Sequence, residues 1–186
     1  MAKTLILLRH AKSSWSDPGL ADMDRPLNKR GRDAAPRMGR WLAHAKYAPD
    51  LVICSPSVRT RQTLSAISVM LPAPPIGVRF EPDIYEAPWQ RILAVLRAAE
   101  ASETSQPITT VLLIGHNPGL QALTLALAAG DDGGAGDAEV RARVAQKFPT
   151  AAAAVLALPI TRWADIAIGS ATLAIFMTPR QLDDDT

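Results

Sequence analysis

The sequence is poor in cysteine, in aromatic residues and in unbroken apolar runs, and each shortage excludes a class of protein. Cys54 is the single cysteine among 186 residues. It forbids an internal disulfide and cannot by itself build a zinc site. Aromatic residues make up 5% of the chain, and no stacking stripe or basic run marks a nucleic-acid binder. Every apolar stretch meets a charge or a proline before about 18 residues, so no transmembrane helix is expected. The N-terminus offers Lys3 and a short apolar run, but Arg9, His10 and Lys12 follow at once. That is a poor signal peptide and a good first strand. Disorder is excluded as well, because 48% hydrophobic and 20% charged residues match globular norms. The expectation is a cytoplasmic protein, one domain over residues 1–186, monomeric or weakly dimeric, with neither nucleic acid nor membrane as partner.

A formal net charge of +2 conceals an asymmetry. Residues 1–61 hold 12 Lys and Arg against 5 Asp and Glu, whereas residues 62–186 hold 8 against 13. Fifteen of the 20 basic residues are Arg, the side chain whose planar fork grips phosphate or carboxylate. An anionic partner is indicated, although most of these Arg residues fit an ordinary solvated helix face.

Strand-like and helix-like segments alternate. Thr4–Leu8, Leu51–Cys54 and Val111–Ile114 are continuous apolar runs of the kind found in strands buried on both faces. Residues 29–46 carry Ala34, Ala35, Met38, Trp41, Leu42 and Ala45 at helical spacing, with Asn28 as N-cap and Pro36 as an interruption. Ser55-Pro56 and Asn117-Pro118 each read as a cap followed by proline at the first helical position. Their helices should run to about Met70 and Ala128. Another helix carries Trp89, Ile92, Leu93, Leu96 and Ala99 on one face, and Val140–Lys147 reads as a short one. Val78–Phe80, Val155–Leu158 and Ala171–Met177 complete the strands, the last two joined through Arg162-Trp163. Residues 130–137 read as a flexible surface loop and 182–186 as a frayed tail. The pattern predicts an α/β fold: a three-layer α/β/α arrangement with a mainly parallel sheet and helices on both faces.

The chemistry gathers at strand ends. One apolar run leads into Arg9-His10, one into Ser55-Pro56 with Arg59 a turn later, and one into Gly115-His116-Asn117-Pro118-Gly119. Ligands of open α/β sheets sit beyond the carboxyl ends of the strands. Parallel neighbours would therefore bring two Arg and two His to one edge, beside helix N-termini that favour phosphate. Two Arg neutralise a phosphoryl dianion. A neutral His can attack phosphorus, and a second can stabilise the transferring oxygens. No acidic cluster stands at the strand ends to hold Mg²⁺. Arg61 lies two residues from Arg59 and so on another helix face. Helix geometry alone does not choose between them.

Leu8-Arg9-His10-Ala11-Lys12-Ser13 resembles the signature of the histidine phosphatase superfamily, the phosphoglycerate mutase-like fold, with Ala11 where that signature usually has Gly. Arg-His-Ala followed by Lys-Ser resembles the small SixA-type phosphohistidine phosphatases. Asp24-Arg25-Pro26-Leu27 with Gly31, Ser55-Pro56 with Arg59-Thr60 and Gln62-Thr63, and Gly115-His116-Asn117-Pro118 resemble three further family motifs, in family order. The resemblance implies a phosphatase with His10 as nucleophile and with Arg9, Arg59 and His116 as the rest of the phosphate pocket. It implies no metal and no organic cofactor. Glu86 stands nearest the position of the family's acid. An acid, a water-positioning base and an ordinary loop carboxylate all remain open for it. Lys12 and Ser13 would line the pocket mouth as substrate contacts or belong to an ordinary loop. Arg25 is expected to pair with Asp22 or Asp24.

Substrate-capping insertions are absent at this length, which favours an open site. The resemblance favours a phosphohistidine-bearing protein as substrate. A small phosphate ester, and a phosphate-binding module without turnover, are the alternatives. His44, late in the first helix, is expected to be exposed or structural. Cys54, Trp41, Trp89 and Trp163 are expected to pack.

Overall fold

The computed structural model describes residues 2–100, 106–128 and 135–184. Its sheet has six strands: β1 (Lys3–Arg9), β2 (Leu51–Cys54), β3 (Gly77–Phe80), β4 (Thr110–Gly115), β5 (Ala153–Leu158) and β6 (Thr172–Met177). Their spatial order is β3-β2-β4-β1-β5-β6. The first four strands run parallel, with Leu8 opposite Ile114 and Cys54 opposite Ile114 on the other side. β5 runs antiparallel to β1, and β6 antiparallel to β5. The mainly parallel α/β sandwich is thus the observed fold.

Alternation along each strand builds two cores. Leu5, Leu7, Ile53, Val111 and Leu113 face one layer, formed with Ile92 and Leu96 of α3 (Trp89–Arg97) and Leu120 and Leu123 of α4 (Gly119–Leu127). Val144 of α5 (Ala135–Gln146) joins that layer. Ile6, Leu8, Val52, Cys54, Leu112 and Ile114 face the other layer. There they meet Ala35, Met38 and Leu42 of α1 (Lys29–His44) and Leu64 and Ile67 of α2 (Val58–Ser68). Each fully buried Leu, Ile or Val contributes about 1.5–3 kcal/mol. Burial on both faces is why these strands read as unbroken apolar runs. Trp163 is fully buried and donates its indole N–H to the Ile108 carbonyl. Burial pushes the Cys54 thiol up to about 12, consistent with an inert packing residue.

Several boundaries differ from expectation. Asn28 caps α1, accepting from Gly31 N, and the helix continues through Pro36. α2, however, begins at Val58 with Ser57 as its cap residue, and α4 begins at Gly119 after Pro118. Ser55 is not a cap, because its hydroxyl is engaged by His116. Of the expected loop 130–137, residues 130–134 lie outside the described residues and 135–137 belong to α5. That helix therefore starts five residues earlier than the apolar pattern implied. Residues 182–184 of the expected frayed tail belong to a short helix, α6 (Gln181–Asp184). Thr178 N and Oγ1 both donate to Gln181 Oε1 and hold its start. His44 is exposed, at the end of α1.

Candidate active site

β1 and β4 are neighbours, but the chain leaves them toward opposite edges of the sheet. The cleft beyond their carboxyl ends is the place such a sheet offers a ligand. His10 N donates to the Gly115 carbonyl at 3.0 Å, so the first strand end is tied to the second. The segment after His10 is fixed from two sides. Ala11 N donates to Thr63 Oγ1 of α2, and Asn28 N donates to the Lys12 carbonyl. Gly31 makes the second contact possible, because a Cβ there would lie 2.2 Å from the Lys12 carbonyl oxygen.

His10 is 7% exposed, and its Nδ1 stands 2.8 Å from the Ala11 carbonyl oxygen. A carbonyl only accepts, so Nδ1 carries the proton and Nε2 keeps its lone pair. Burial lowers the His10 pKa to about 4; the Ala11 hydrogen bond opposes the shift, and Arg59, Arg9 and Arg25 reinforce it. The His116 ring lies 5.2 Å from that of His10, centroid to centroid. Its Nδ1 accepts from Arg59 Nη2 at 3.3 Å, so Nε2–H donates to Ser55 Oγ at 2.8 Å. Burial, then His10 and Arg59, brings His116 down to about 3. Both imidazoles are neutral at pH 7.

Arg59, 2% exposed on the first turn of α2, is the hub of the opposite wall. Its Nη1 donates to the Asp22 carbonyl, and its Nη2 donates to Asp22 Oδ2 at 2.8 Å and to Glu86 Oε1 at 3.4 Å. The Asp22 carboxylate also accepts from Tyr85 Oη at 2.6 Å and from Arg25 Nη1 at 2.5 Å. Burial alone would raise the Asp22 pKa, but the Tyr85, Arg59 and Arg25 hydrogen bonds outweigh it and bring it to about 2. Arg25 in turn donates to Ser13 Oγ and the Ser14 carbonyl, and its guanidinium lies 3.2 Å from the Trp15 ring centroid. Arg61 is exposed over Phe80 and takes no part.

Arg9 completes the cleft. Its Nη1 donates to the Phe148 carbonyl, while its buried Nε has no hydrogen-bond partner among the described residues. Burial, then Arg59, lowers its pKa from the ordinary value. The open cleft of about 250 Å³ is lined by Arg9, His10, Lys12, Ser13, Trp15, Asp22, Arg25, Arg59, Glu86, His116, Asn117 and Thr150. Four cations face two carboxylates across it, so the site carries a net positive charge suited to a phosphoryl dianion. Among the described residues, no group of three or more His, Cys, Asp or Glu side chains is placed to hold a metal.

All seven residues singled out from the sequence, Arg9, His10, Lys12, Ser13, Arg59, Glu86 and His116, line this one cleft. Ser13 is buried with its hydroxyl committed to Arg25, whereas Lys12 is exposed. Glu86 is exposed at φ 48°. Its loop is drawn in by Gly119, where a Cβ would lie 2.2 Å from the Ala87 carbonyl oxygen. Arg25 pairs with Asp22 as expected but also lines the cleft, and Asp22, Tyr85 and the Ser55 hydroxyl join the site without having been expected there. The Asp-x-x-Arg spacing of Asp22 and Arg25 was the one available signal.

Comparison with known proteins agrees with this geometry. The sequence model of the histidine phosphatase superfamily (branch 1) matches residues 5–92. An uncharacterized protein of Mycobacterium tuberculosis (strain ATCC 25618 / H37Rv) is 38% identical over 173 residues, 93% of this chain and 100% of that one. A solved structure from Nakamurella multipartitia, provisionally named phosphohistidine phosphatase SixA, matches with a TM-score of 0.79 at 31% identity. The match covers 96% of this chain and 97% of that one. One of the same provisional name from Agrobacterium tumefaciens matches with a TM-score of 0.74 at 28% identity, over 96% and 99% of the two chains. The chain belongs to the histidine phosphatase superfamily. Within it, the chain is similar to the SixA-type proteins over nearly its whole length. Among the described residues, no helix is long and apolar enough to cross a membrane.

Proposed function

We propose that the protein hydrolyses phosphohistidine in a phosphorylated protein, by way of a phosphoryl group carried on His10 and without a metal ion. The observation that carries the proposal is the state of His10. Its Nδ1 proton is held by the Ala11 carbonyl, and its Nε2 lone pair is free in a cleft walled by Arg9, Arg59 and His116. Nε2 attacks phosphorus, a new N–P bond forms, and the P–N bond to the substrate imidazole breaks. That imidazole, protonated on its other nitrogen, departs as a neutral ring and needs no protein acid. Water then adds to phosphorus, the His10–phosphorus bond breaks, and inorganic phosphate leaves.

Arg9 and Arg59 hold the phosphoryl oxygens, and the Nδ1 edge of His116 faces them beside Arg59. The 3.4 Å contact with Glu86 is the longest of the hydrogen bonds described for Arg59, and a phosphoryl oxygen would take its place. A phosphoryl dianion between them favours the protonated form of His116, which then donates.

The position of Glu86 supports a second reading, a phosphomonoesterase of small substrates. An alkoxide is a poor leaving group and needs a proton, and Glu86 is the carboxylate at the cleft not bound up in the Asp22 clamp. Phosphate release from a phosphohistidine peptide and from a plain alkyl phosphate, each with EDTA and with His10→Ala as control, separates the two. Release from the peptide alone, lost in His10→Ala, is expected. Comparable release from both substrates favours the esterase. Loss of activity with EDTA, restored by a divalent metal, overturns the metal-free mechanism.

A further inference from the structure

A second cavity, of about 400 Å³, adjoins the cleft and shares two wall residues with it, Lys12 and Thr150. Its other walls are Arg30, Asp33, Ala34 and Arg37 of α1 with Pro179 and Arg180 beyond β6. Arg30, Ala34 and Arg37 stand at i, i+4 and i+7, on one face of the helix, and the small Ala34 leaves the trough open between the two guanidinium groups. Arg37 Nη2 donates to the Pro179 carbonyl, so the C-terminal segment is docked on α1 and carries Arg180 to the same place. Among the described side chains, four cations from three separate stretches of chain thus surround one carboxylate. That carboxylate, Asp33, is already bonded to Lys29. Arg180 extends the positive strip into a further groove with Arg143 and Lys147. Gathering like charges opposes folding, and the catalytic steps above do not use these groups.

We infer that this trough is an anionic subsite, which takes acidic side chains flanking the phosphohistidine of the substrate protein. The inference rests on the proposed phosphohistidine activity. It adds a sequence preference, for Asp and Glu close to the scissile phosphoryl group, that the reaction itself does not require. The open form of both cavities suits an extended chain passing from one to the other through the wall shared by Lys12 and Thr150.

The test uses two phosphohistidine peptides, identical except for acidic or neutral residues beside the histidine. Their kcat/KM values are measured with the wild-type protein and with Arg30→Gln/Arg180→Gln. Two exposed charge pairs give the wild type about a tenfold preference for the acidic peptide, carried in KM and reduced at high salt. The double variant loses the preference and keeps the rate on the neutral peptide. Arg30→Glu shifts the preference toward the neutral peptide. Thermal unfolding verifies that each variant is folded. Equal rates on the two peptides in the wild type, or a preference that survives in the double variant, overturn the subsite alone. Failure of the wild type on both peptides, with an alkyl phosphate still hydrolysed, overturns the phosphohistidine reading and the subsite with it.

Discussion

Replacing Arg59 by Lys keeps the charge and removes the fork, so it isolates what the guanidinium geometry contributes. The Arg59 side chain is almost fully enclosed, and its two Nη atoms meet the Asp22 carbonyl, the Asp22 and Glu86 carboxylates and His116 Nδ1. An ammonium cannot serve these acceptors and two phosphoryl oxygens at once. Hydrogen bonds to charged groups contribute about 1.5–3 kcal/mol each. Losing one or two that strengthen in the transition state gives about 2–4 kcal/mol, or a roughly 30- to 1000-fold lower kcat/KM. Stability falls less, by about 1–2 kcal/mol, because Asp22 is partly exposed and water can replace a lost donor. Arg61→Ala is the control. It loses an exposed cation–π contact of about 0.5–1 kcal/mol and leaves the rate unchanged. Steady-state kinetics and thermal unfolding of both variants provide the check. A rate for Arg59→Lys within about threefold of wild type, or equal losses in the two variants, would refute the placement of Arg59 as the phosphoryl clamp.

Other consequences follow from the same geometry. His10 and His116 have pKa values of about 4 and 3, below the ordinary 6.5, so on acidification the unfolded chain takes up protons first. Their contribution to stability is whole above about pH 6.5 and declines as pH falls toward 4, by up to about 1.4 kcal/mol per pH unit for each imidazole. Denaturant unfolding at pH 7 and pH 5 measures it, and a His10→Gln/His116→Gln variant should have a flatter profile. Gly31→Ala gains helix propensity of about 1 kcal/mol but drives a Cβ into the Lys12 carbonyl. A net loss of about 1–3 kcal/mol, with lower activity from a displaced His10 segment, is expected in melting and kinetic assays. Glu86→Gln should leave the rate on the phosphohistidine peptide nearly unaffected and lower any residual rate on an alkyl phosphate by at least about tenfold. Equal effects on both substrates would place Glu86 in phosphate binding rather than proton transfer.

Much of this was legible in the chain because its signals are local. Buried strands on both faces leave unbroken apolar runs, and β1, β2 and β4 were each found within a residue or two of their observed limits. Residues at strand ends are fixed by the strands themselves, so the sequence alone brings Arg9, His10 and His116 to one edge. Arg59 needed the family resemblance to be preferred over Arg61, since a helix of uncertain start has no fixed phase. The cap at Ser55 failed because a tertiary partner, His116 Nε2, engages the hydroxyl that a local rule gives to the helix. The Asp22 clamp was out of reach for a related reason: Tyr85 and Arg59 come to Asp22 from 63 and 37 residues away. The trough is further still, since Lys12, Arg37 and Arg180 meet only when the C-terminal segment docks on α1.

The central claim is that His10 carries the phosphoryl group. Rapid quenching during turnover of a phosphoryl-labelled substrate, followed by mass analysis, tests it most directly. The account predicts a phosphoryl group on His10, stable in alkali, lost in acid, and missing from His10→Ala. Turnover with no label on His10, or a label that persists in His10→Ala, would contradict it.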